Sequence, residues 1–254
     1  MKISVITAVR NGRATLADAL DSALAQDHPD TELIVIDGGS TDGTLEVIQR
    51  YARRLAHVVS EPDGGIYDAL NKGLRLAGGE VVGFLHADDR FADDRVLSRI
   101  AAALADLGMD ACYGDLLYIS QDDPIRVVRY WRAGQFHPRR LGWGWMPPHP
   151  TFYARRVVYQ RLGGFDSRYR IAADYDCLLR LLGGGLACAY LPEVLIHMRL
   201  GGASNRSPRN LLEKSREDYQ ALRRNRIGGL GTLLAKNLRK LPQFFSRTPE
   251  KPST

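Results

Sequence analysis

The sequence predicts an α/β protein built on a mainly parallel sheet, because short apolar segments alternate with segments of helical spacing between residues 2 and 87. The apolar segments are KISVITA (2–8), ELIVID (32–37), HVVSE (57–61) and EVVGFLHA (80–87). The helical segments between them are TLADALDSALAQ (15–26), TDGTLEVIQRYARR (41–54) and IYDALNKGLRLA (66–77). Strands this apolar are buried on both faces, and the intervening helices supply the crossovers that parallel strands need. Thr15 and Asp18 are spaced like a capping box at the start of the first helix.

The pattern changes after residue 110, where an antiparallel portion is expected. ACYGDLLYIS (111–120) and IRVVRYW (125–131) read as a strand pair joined around QDDP. An aromatic and proline-rich segment, GWGWMPPHPTFY (142–153), follows, then the helical ADYDCLLRLL (173–182) and the strand-like ACAYLPEVLIHMRL (187–200). These elements predict antiparallel strands beside the parallel sheet.

The charge of the chain is concentrated in its last fifty residues. The net charge is +6 overall, but residues 205–254 carry +8 and the rest carries −2. We therefore divide the chain into a domain of residues 1–204 and a basic helical tail of residues 205–254. The three cysteines have no short paired spacing, so neither a disulfide framework nor a zinc site is expected. No apolar run is long enough for a signal peptide or a membrane span, which predicts a chain that is neither secreted by that route nor threaded through a bilayer.

The tail predicts an interaction at a membrane surface. A charged helix is expected at about 208–226, then a glycine hinge, then LGTLLAKNLRKLPQFFSR (230–247) with five leucines along one helical face and its cations away from the centre of that face. Such a helix lies in the interface between lipid and water. Docking of the helix on the protein's own core is the alternative. Nucleic-acid binding is disfavoured because aromatic interleaving and a known motif are missing.

Polar residues follow the ends of four predicted strands. They are Thr7 with Asn11, Asp37, Glu61 with Asp63, and Asp88 with Asp89. Ligands of parallel α/β sheets bind outside the carboxyl ends of the strands, so these residues predict one common pocket.

The Asp88–Asp89 pair and Asp37 each have two interpretations: a role in ligand binding or a purely structural role. The Asp88–Asp89 pair suits Mg²⁺ or Mn²⁺, which take oxygen ligands and keep positions open for phosphate oxygens; the alternative is a pair that caps the next helix. Asp37 opens the glycine-rich turn 36–44, which matches neither a P-loop nor a dinucleotide fingerprint. Asp37 could accept hydrogen bonds from a nucleotide, or the segment could be only a turn into a helix with Asp42 at its cap.

Further candidate side chains lie elsewhere in the chain. Lys72 follows two glycines that permit close approach of a ligand, and it could face a phosphate. Asp174 and Asp176 are two apart on a predicted helix that also carries Arg180, so only one of the two carboxylates easily faces a given pocket. One could serve as a base. His149 and His197 are ligand candidates, against the plain alternative of hydrogen-bonded structural histidines.

Together these stretches resemble family 2 glycosyltransferases of the GT-A fold, in particular bacterial enzymes that build exopolysaccharide and other surface glycans. The resemblance is carried in order by ISVITAVRNG, ELIVIDGGSTDGT, SEPDGGIYDALNKG, GFLHADD, GGFD, ADYDCLLRL and GGASN, over residues 2 to 205. It implies a Rossmann-like nucleotide-binding sheet and an inverting transfer of a sugar from a nucleotide-diphosphate sugar to a hydroxyl of a glycan or polyprenyl-linked acceptor.

The resemblance also implies roles for individual residues. Thr7, Asn11 and Asp37 match the nucleoside pocket, and Asp63 and Lys72 match its continuation toward the sugar and diphosphate. Asp88 and Asp89 match the D-x-D metal motif, with Asp89 as the first choice for the ion, which would be Mg²⁺ or Mn²⁺. Asp174 matches the general base, and His149, Asp176 and Arg180 are placed on the acceptor side.

Two departures from the family pattern remain. The family usually has Glu-Asp where this chain has Ala173-Asp174, which leaves open how the base is oriented. His197 matches a metal-binding histidine of some relatives only weakly, because GGASN follows where His-x-x-Ser is usual.

The sequence thus predicts an enzyme of surface polysaccharide biosynthesis at the cytoplasmic face of the membrane. One alternative is a nucleotidyltransferase acting on a sugar phosphate, although AVRNGRATL lacks the glycine cluster expected after the first strand. The other is a catalytically silent nucleotide-sugar-binding protein.

Overall fold

The computed structural model describes residues 1–123, 125–201 and 208–240. Its strands are β1 (Ile3–Val9), β2 (Thr31–Asp37), β3 (His57–Ser60), β4 (Val81–Phe84), β5 (Arg90–Phe91), β6 (Ala111–Ile119), β7 (Val127–Trp131), β8 (Tyr153–Arg155) and β9 (Cys188–Arg199). Its helices are α1 (Leu16–Leu24), α2 (Thr44–Tyr51), α3 (Ile66–Leu76), α4 (Val96–Ala103), α5 (Arg156–Leu162), α6 (Ala173–Gly183), α7 (Pro208–Arg224) and α8 (Leu230–Leu238). Short 3-10 turns cover Ala52–Arg54, Pro138–Trp143 and His149–Thr151.

The strands form one mixed sheet in the order β3-β2-β1-β4-β8-β6-β9-β5, with β7 paired to β6. The first four strands of that order are parallel, whereas β8 is antiparallel to both β4 and β6. The β6–β7 pair is antiparallel and β6–β9 is parallel. The predicted α/β architecture with a parallel half and an antiparallel portion is confirmed.

The sheet is buried because β1 supplies apolar side chains to both of its faces. Ile6 packs with α3 on one side, whereas Ile3 and Val5 pack with α1 and α4 on the other. Gly73 lets α3 come close to the sheet, since a Cβ there would lie 2.3 Å from Ile6 Cγ2.

The predicted capping box at the start of α1 is wrong. Thr15 occupies the N-cap position but makes no side-chain capping bond. The carboxylate of Asp18 instead accepts a hydrogen bond from the Arg199 guanidinium at 2.5 Å. A long-range ion pair therefore takes the place of the local contact that the spacing predicted.

The tail helices pack on the rest of the molecule. Ala221 and Leu222 of α7 belong to the main hydrophobic core, beside Leu178 and Leu181 of α6. Docking on the protein's own core was the alternative to lipid contact for residues 230–247. The structure shows it for α8, since Leu233 packs against that core and Thr232 and Lys236 are buried. The predicted boundary at 204/205 and Leu241 lie outside the described residues.

The outward surface of α8 is apolar. Thr232 and Lys236 point inward and are buried, whereas Leu230, Leu234 and Leu238 are 72%, 61% and 53% exposed. Among the described residues, no helix has the length and apolar character needed to cross a membrane.

Candidate functional site

The loops that follow β1, β2 and β3 are tied together by side chains. Asn11 adopts the left-handed φ of 54° that asparagine tolerates, and its Oδ1 accepts a hydrogen bond from the Thr41 N–H at 2.9 Å. Asp37 is fully buried and accepts hydrogen bonds from the N–H (3.2 Å) and hydroxyl of Ser40 and from the Ser60 hydroxyl at 2.7 Å. These contacts bring the three strand ends to one edge of the sheet.

Asp63 reaches this edge because Gly38 leaves room for it. A Cβ on residue 38 would lie 2.5 Å from Asp63 Oδ2. The other oxygen of Asp63 accepts the Gly65 N–H at 2.9 Å. Thr7 lies inside β1 and is buried, so of the predicted nucleoside residues Asn11 is the exposed one.

Lys72 lies at the same edge and is held by carboxylates. Its ammonium is 2.8 Å from Glu61 Oε1 and 3.8 Å from Asp68 Oδ2. The hydrogen bond with Glu61 raises the pKa of Lys72 above 10.5, so the side chain stays cationic. A fixed cation here is suited to an anionic ligand.

Asp88 and Asp89 differ sharply in their surroundings. Asp89 is 1% exposed; its Oδ1 accepts the Arg199 N–H at 3.2 Å, and its Oδ2 has no hydrogen-bond partner in the described part of the chain. Burial, and then the charge of Asp88, raise the pKa of Asp89 well above 3.8. Asp88 is only half-buried. Exposure thus favours Asp88 as the first contact for a ligand from solution, with Asp89 behind it.

This pair fits a divalent cation. An ion with oxygen ligands would satisfy the lone Asp89 Oδ2 and offset the repulsion between the two carboxylates. Within the described ranges, no group of three or more His, Cys, Asp or Glu side chains could hold a metal. Such an ion would therefore take its remaining ligands from substrate and water, as Mg²⁺ commonly does.

Asp174 is the accessible carboxylate of the predicted pair on α6. It is half-buried, and its Oδ1 lies 3.2 Å from the Tyr67 hydroxyl, which donates to the Ile171 carbonyl at 2.6 Å. Burial, and then the charge of Asp174, raise the pKa of Tyr67 well above 10, so this phenol stays protonated. Asp176 is 2% exposed and faces Asn225 (2.9 Å) instead.

His149 is near both Asp174 and His86, and His86 precedes Asp88 by two residues in the chain. The two imidazole rings are 6.1 Å apart, and the His149 ring stacks on Phe84 at 5.5 Å. Burial lowers the pKa of His149 to about 4, against an opposing effect of Asp174. His149 is therefore neutral at pH 7 and forms an aromatic wall beside the carboxylates.

Two predicted residues are engaged elsewhere. The Arg180 guanidinium donates to the carbonyls of residues 162, 163 and 164, which holds the GGFD loop against α6. His197 lies on β9 opposite Arg90, and burial, followed by the Arg90 charge, lowers its pKa. Its charged neighbours are Arg90 and Asp93. The structure thus does not bring His197 to the Asp88–Asp89 pair.

Sequence reasoning missed three residues that support the site. Tyr67 lies in the GGIYDALNKG stretch, so its position beside Gly64 and Gly65 is a local signal for it. Arg199 binds Asp89 and Asp18, and Glu217 binds the loop before α6. These two contacts join distant segments, so no local pattern could have shown them.

Comparison with known proteins shows the family of this chain. Residues 4–170 match the family model described as Glycosyl transferase family 2. A PGL/p-HBAD biosynthesis glycosyltransferase from Mycobacterium bovis is 33% identical over 208 residues, which cover 80% of this chain and 78% of that one.

Two solved structures share the fold. Staphylococcus aureus TarS 1–349 in complex with UDP-GlcNAc superposes with a TM-score of 0.69 at 20% identity, covering 89% of this chain. This chain spans only 65% of the length of that TarS chain. The mannosyltransferase PcManGT from Pyrobaculum calidifontis, in complex with GDP-Man and Mn²⁺, gives a TM-score of 0.68 at 21% identity and covers 96% of this chain and 73% of that one. The chain therefore belongs to glycosyl transferase family 2 and is a glycosyltransferase.

Proposed function

We propose that this chain is an inverting glycosyltransferase that moves a sugar from a nucleotide-diphosphate sugar to a hydroxyl of a glycan or polyprenyl-linked acceptor. The observation that carries the proposal is the placement of Asp174. It is a half-buried carboxylate beside the Tyr67 hydroxyl, and its charge acts on His149, whose ring is 6.1 Å from that of His86, two residues before Asp88. A base and a cation site that face one donor would suit attack on one side of a sugar and departure on the other.

The donor is assigned to the edge formed by the ends of β1, β2 and β3. Thr7, Asn11 and Asp37 would shape the nucleoside pocket, with Asp37 acting through the turn that it holds. Asp63 and Lys72 would lie toward the sugar and diphosphate. The nucleotide sugars bound to the TarS and PcManGT structures support a donor of this class.

Asp88 and Asp89 would hold the divalent metal, Mg²⁺ or Mn²⁺. The ion would supply neutralisation of the charge that develops on a leaving diphosphate. Asp88 offers the accessible oxygens, and Asp89 supplies the buried oxygen that has no other partner in the described residues. The Mn²⁺ in the PcManGT complex supports this assignment.

Asp174 would take the proton from the acceptor hydroxyl. An alcohol has a pKa far above 7, so it attacks the anomeric carbon readily only when a positioned base removes its proton. A single displacement inverts the anomeric centre. Asp176 and Arg180, predicted from sequence on the acceptor side, would act there only by holding α6 and the GGFD loop in place.

The acceptor is assigned to surface-glycan biosynthesis. The motif order of the sequence and the name of the Mycobacterium bovis relative support this class. The site would then lie at the cytoplasmic face of the membrane, where lipid-linked acceptors are presented.

Replacement of the base tests the reaction. Asp174→Asn should abolish release of nucleoside diphosphate from UDP-GlcNAc and GDP-mannose while nucleotide binding, measured by calorimetry, is kept. Asp106→Asn, in the exposed loop after α4, is the matched control and should retain activity. Near-normal turnover by Asp174→Asn would remove the assignment.

The same assay separates the alternatives. A nucleotidyltransferase would release inorganic diphosphate from a nucleoside triphosphate and a sugar phosphate. A silent binding protein would release nothing.

The two carboxylates of the metal pair make separate predictions. Asp88→Asn should reduce Mn²⁺-dependent binding of UDP by roughly 10- to 100-fold, because it removes the accessible ligand. Asp89→Asn removes the buried charge and should also change the thermal unfolding midpoint, since burial raises the pKa of this group. If the affinity of the unmodified protein for UDP is the same with and without Mn²⁺, a metal at this pair is contradicted.

We further propose peripheral membrane contact through α8. Lys236 and Thr232 point into the protein, so the leucine row Leu230, Leu234 and Leu238 faces outward. Trp143, 71% exposed, lies in the 3-10 turn on which α8 packs, because Thr232 donates to the Gly142 carbonyl at 2.9 Å. An apolar row with a neighbouring tryptophan and the positive charge of residues 205–254 suits an anionic lipid surface.

Liposome flotation tests this contact. Leu230→Ser/Leu234→Ser/Leu238→Ser should lose binding to vesicles that contain anionic lipid, whereas Leu107→Ser, at a position 90% exposed outside α8, should keep it. Point variants are preferable to truncation at Ser204, since truncation removes the core residues of α7. Equal flotation of the triple variant and the unmodified protein would remove the proposal. In this scheme residues 1–204 carry the donor and metal groups, and residues 205–254 carry the lipid contact.

A further inference from the structure

The loop before α6 is held by one buried carboxylate of the tail. Glu217 lies on α7 and is 8% exposed. Its Oε1 accepts the N–H of Arg170 at 2.9 Å, and its Oε2 accepts the N–H groups of Ile171 and Ala172, both at 2.8 Å. Hydrogen bonds to an ionised acceptor are about twice as strong as neutral ones. Glu217 therefore fixes the backbone of residues 170–172 directly.

This contact takes the place of a cap at the start of α6. The helix begins at Ala173, and its N-cap residue, Ala172, has no polar side chain. A negative charge at a helix N-terminus is stabilising, because the free N–H groups and the helix dipole both favour it. Glu217 supplies that charge from another helix.

Residues 170–172 are connected to Asp174, the proposed base, in two ways. Asp174 is two residues after Ala172, in the first turn of α6. The Ile171 carbonyl accepts the Tyr67 hydroxyl at 2.6 Å, and the same hydroxyl lies 3.2 Å from Asp174 Oδ1. A shift of residues 170–172 would therefore move both the backbone that carries Asp174 and the phenol beside it.

Ala173, the residue next to Asp174, cannot position that carboxylate through its side chain, because the side chain is not polar. A second contact from α7 involves only the side chain of the loop: the Arg170 guanidinium donates to Glu213 at 3.0 and 2.5 Å. Glu213 and Glu217 are four residues apart on α7 and thus lie on one helical face. Both glutamates bind the loop of residues 170–172, but of the two only Glu217 binds its backbone.

We propose that Glu217 is a positioning residue for Asp174, which makes α7 part of the catalytic unit. The proposal rests on the proposed role of Asp174 as general base. It assigns to the tail a role in transfer that is separate from lipid contact. Small displacements of a reacting group cost large factors in rate, so loss of this grip should lower turnover and spare donor binding.

Steady-state kinetics test the proposal. Glu217→Gln replaces one of the two accepting carboxylate oxygens with an NH2 group, which donates and cannot accept the loop N–H groups. The kcat should therefore fall roughly 10- to 100-fold, as for other residues that orient a reactive group. The KM for the donor should change by no more than about twofold. The probe is whichever of UDP-GlcNAc and GDP-mannose the unmodified protein hydrolyses faster with Mn²⁺. Glu213→Gln is the matched control and should keep kcat, because it touches only the Arg170 side chain.

A second control separates positioning from stability. Leu222→Ala removes a fully buried core side chain of the same helix and should lower the unfolding midpoint at least as much as Glu217→Gln. Retained kcat in Leu222→Ala together with lost kcat in Glu217→Gln supports positioning. Parallel loss in both variants, in proportion to their unfolding midpoints, would overturn it.

Hydrogen exchange provides a readout that needs no substrate. The amides of residues 170–172 should lose protection in Glu217→Gln and keep it in Glu213→Gln. If Glu217→Gln does not fold, Glu217→Asp keeps the charge but shortens the reach, and it should show the same losses in milder form. Unchanged protection and unchanged kcat in a folded Glu217 variant would refute the proposal.

Asp174→Asn separates a failure of the base assignment from a failure of the positioning role of Glu217. An active Asp174→Asn overturns the base assignment itself. An inactive Asp174→Asn with a fully active Glu217→Gln overturns only the positioning role.

Discussion

The buried ion pair between α7 and α8 should hold the tail on the core. Lys236 and Asp218 are each 4% exposed, their charged atoms are 2.7 Å apart, and the ammonium lies 3.2 Å from the centre of the Tyr175 ring. In Lys236→Met, Asp218 would remain buried without its ion-pair partner, and its Oδ1 already has no hydrogen-bond partner among the described groups. Breaking a buried pair in this way costs about 3–5 kcal/mol. The unfolding midpoint should therefore fall by roughly 6–20 °C for a chain of this size.

The pKa of Lys236 shows that burial dominates this pair. Burial lowers it from 10.5 to about 8, although Asp218 acts in the opposite direction. The difference corresponds to roughly 3 kcal/mol against the charged form. An apolar pair of similar volume should thus serve as well: Lys236→Met/Asp218→Leu should lie within about 1 kcal/mol of the unmodified protein or above it.

The sign of the pH dependence follows from the lowered pKa. Between pH 8 and 10.5 the unfolded chain keeps the proton that the folded chain has released, so the free energy of unfolding rises with pH. This contribution is present above pH 10.5 and is lost as the pH falls to 8. It should appear in the unmodified protein and be absent from Lys236→Met.

Urea unfolding of the two single variants and the double variant measures the coupling. If α8 detaches alone, the loss is limited to its docking energy, and hydrogen exchange then shows lost protection in residues 230–238. A thermal unfolding midpoint of Lys236→Met within about 2 °C of the unmodified value, with α8 still protected from exchange, would refute this prediction. Such a shift corresponds to only about 0.5–1 kcal/mol.

Three smaller predictions concern the sheet edge and core. Gly38→Ala should weaken UDP binding roughly tenfold, or 1.4 kcal/mol, because its Cβ would lie 2.5 Å from Asp63 Oδ2; calorimetry that shows unchanged affinity would contradict this. Gly73→Ala should destabilise the fold by about 1–3 kcal/mol, since its Cβ would lie 2.3 Å from Ile6 Cγ2. Its unfolding midpoint checks this, with Gly231→Ala, where a Cβ meets nothing within 4 Å, as control. His149 has its pKa lowered from 6.5 to about 4 by burial, so it stabilises the fold above pH 6.5, and that contribution is lost as the pH falls toward 4. His149→Phe should lose less stability between pH 7 and 4.5 than the unmodified protein.

The parallel half of the sheet could be predicted because its signal is local. Strands β1, β2 and β4 are rich in apolar residues and buried, whereas the short edge strand β3 is mostly exposed. The rule that ligands bind at the carboxyl ends of parallel strands predicts Asn11, Asp63 and Asp88 as candidates. Sheet order beyond β4 depends on contacts between distant segments. The insertion of β8 between β4 and β6 could not be inferred from a run of three residues.

The same limit applies to the inequality of Asp88 and Asp89. Adjacent residues look alike in a sequence, but the strand pairing of β5 with β9 places Arg199 over Asp89 and leaves Asp88 toward solvent. Arg199 in turn binds Asp18, which is 181 residues away along the chain. Burial decides which carboxylate a ligand can reach, and the burial of Asp89 depends on its contact with Arg199 of β9.

The tail combines two faces that a helical pattern alone cannot orient. The five predicted leucines do not share one exposed face: Leu230, Leu234 and Leu238 of α8 point outward, whereas Leu233 packs against the core. Lys236 lies on the inner side of α8, where it contacts Asp218 and Tyr175. The lipid contact and the grip of Glu217 on the loop before α6 are therefore on different surfaces of the tail. If both proposals hold, serines at the leucine row should abolish flotation and leave kcat on a soluble donor unchanged, whereas Glu217→Gln should do the reverse. Loss of both properties in either variant would mean that the two surfaces act as one unit.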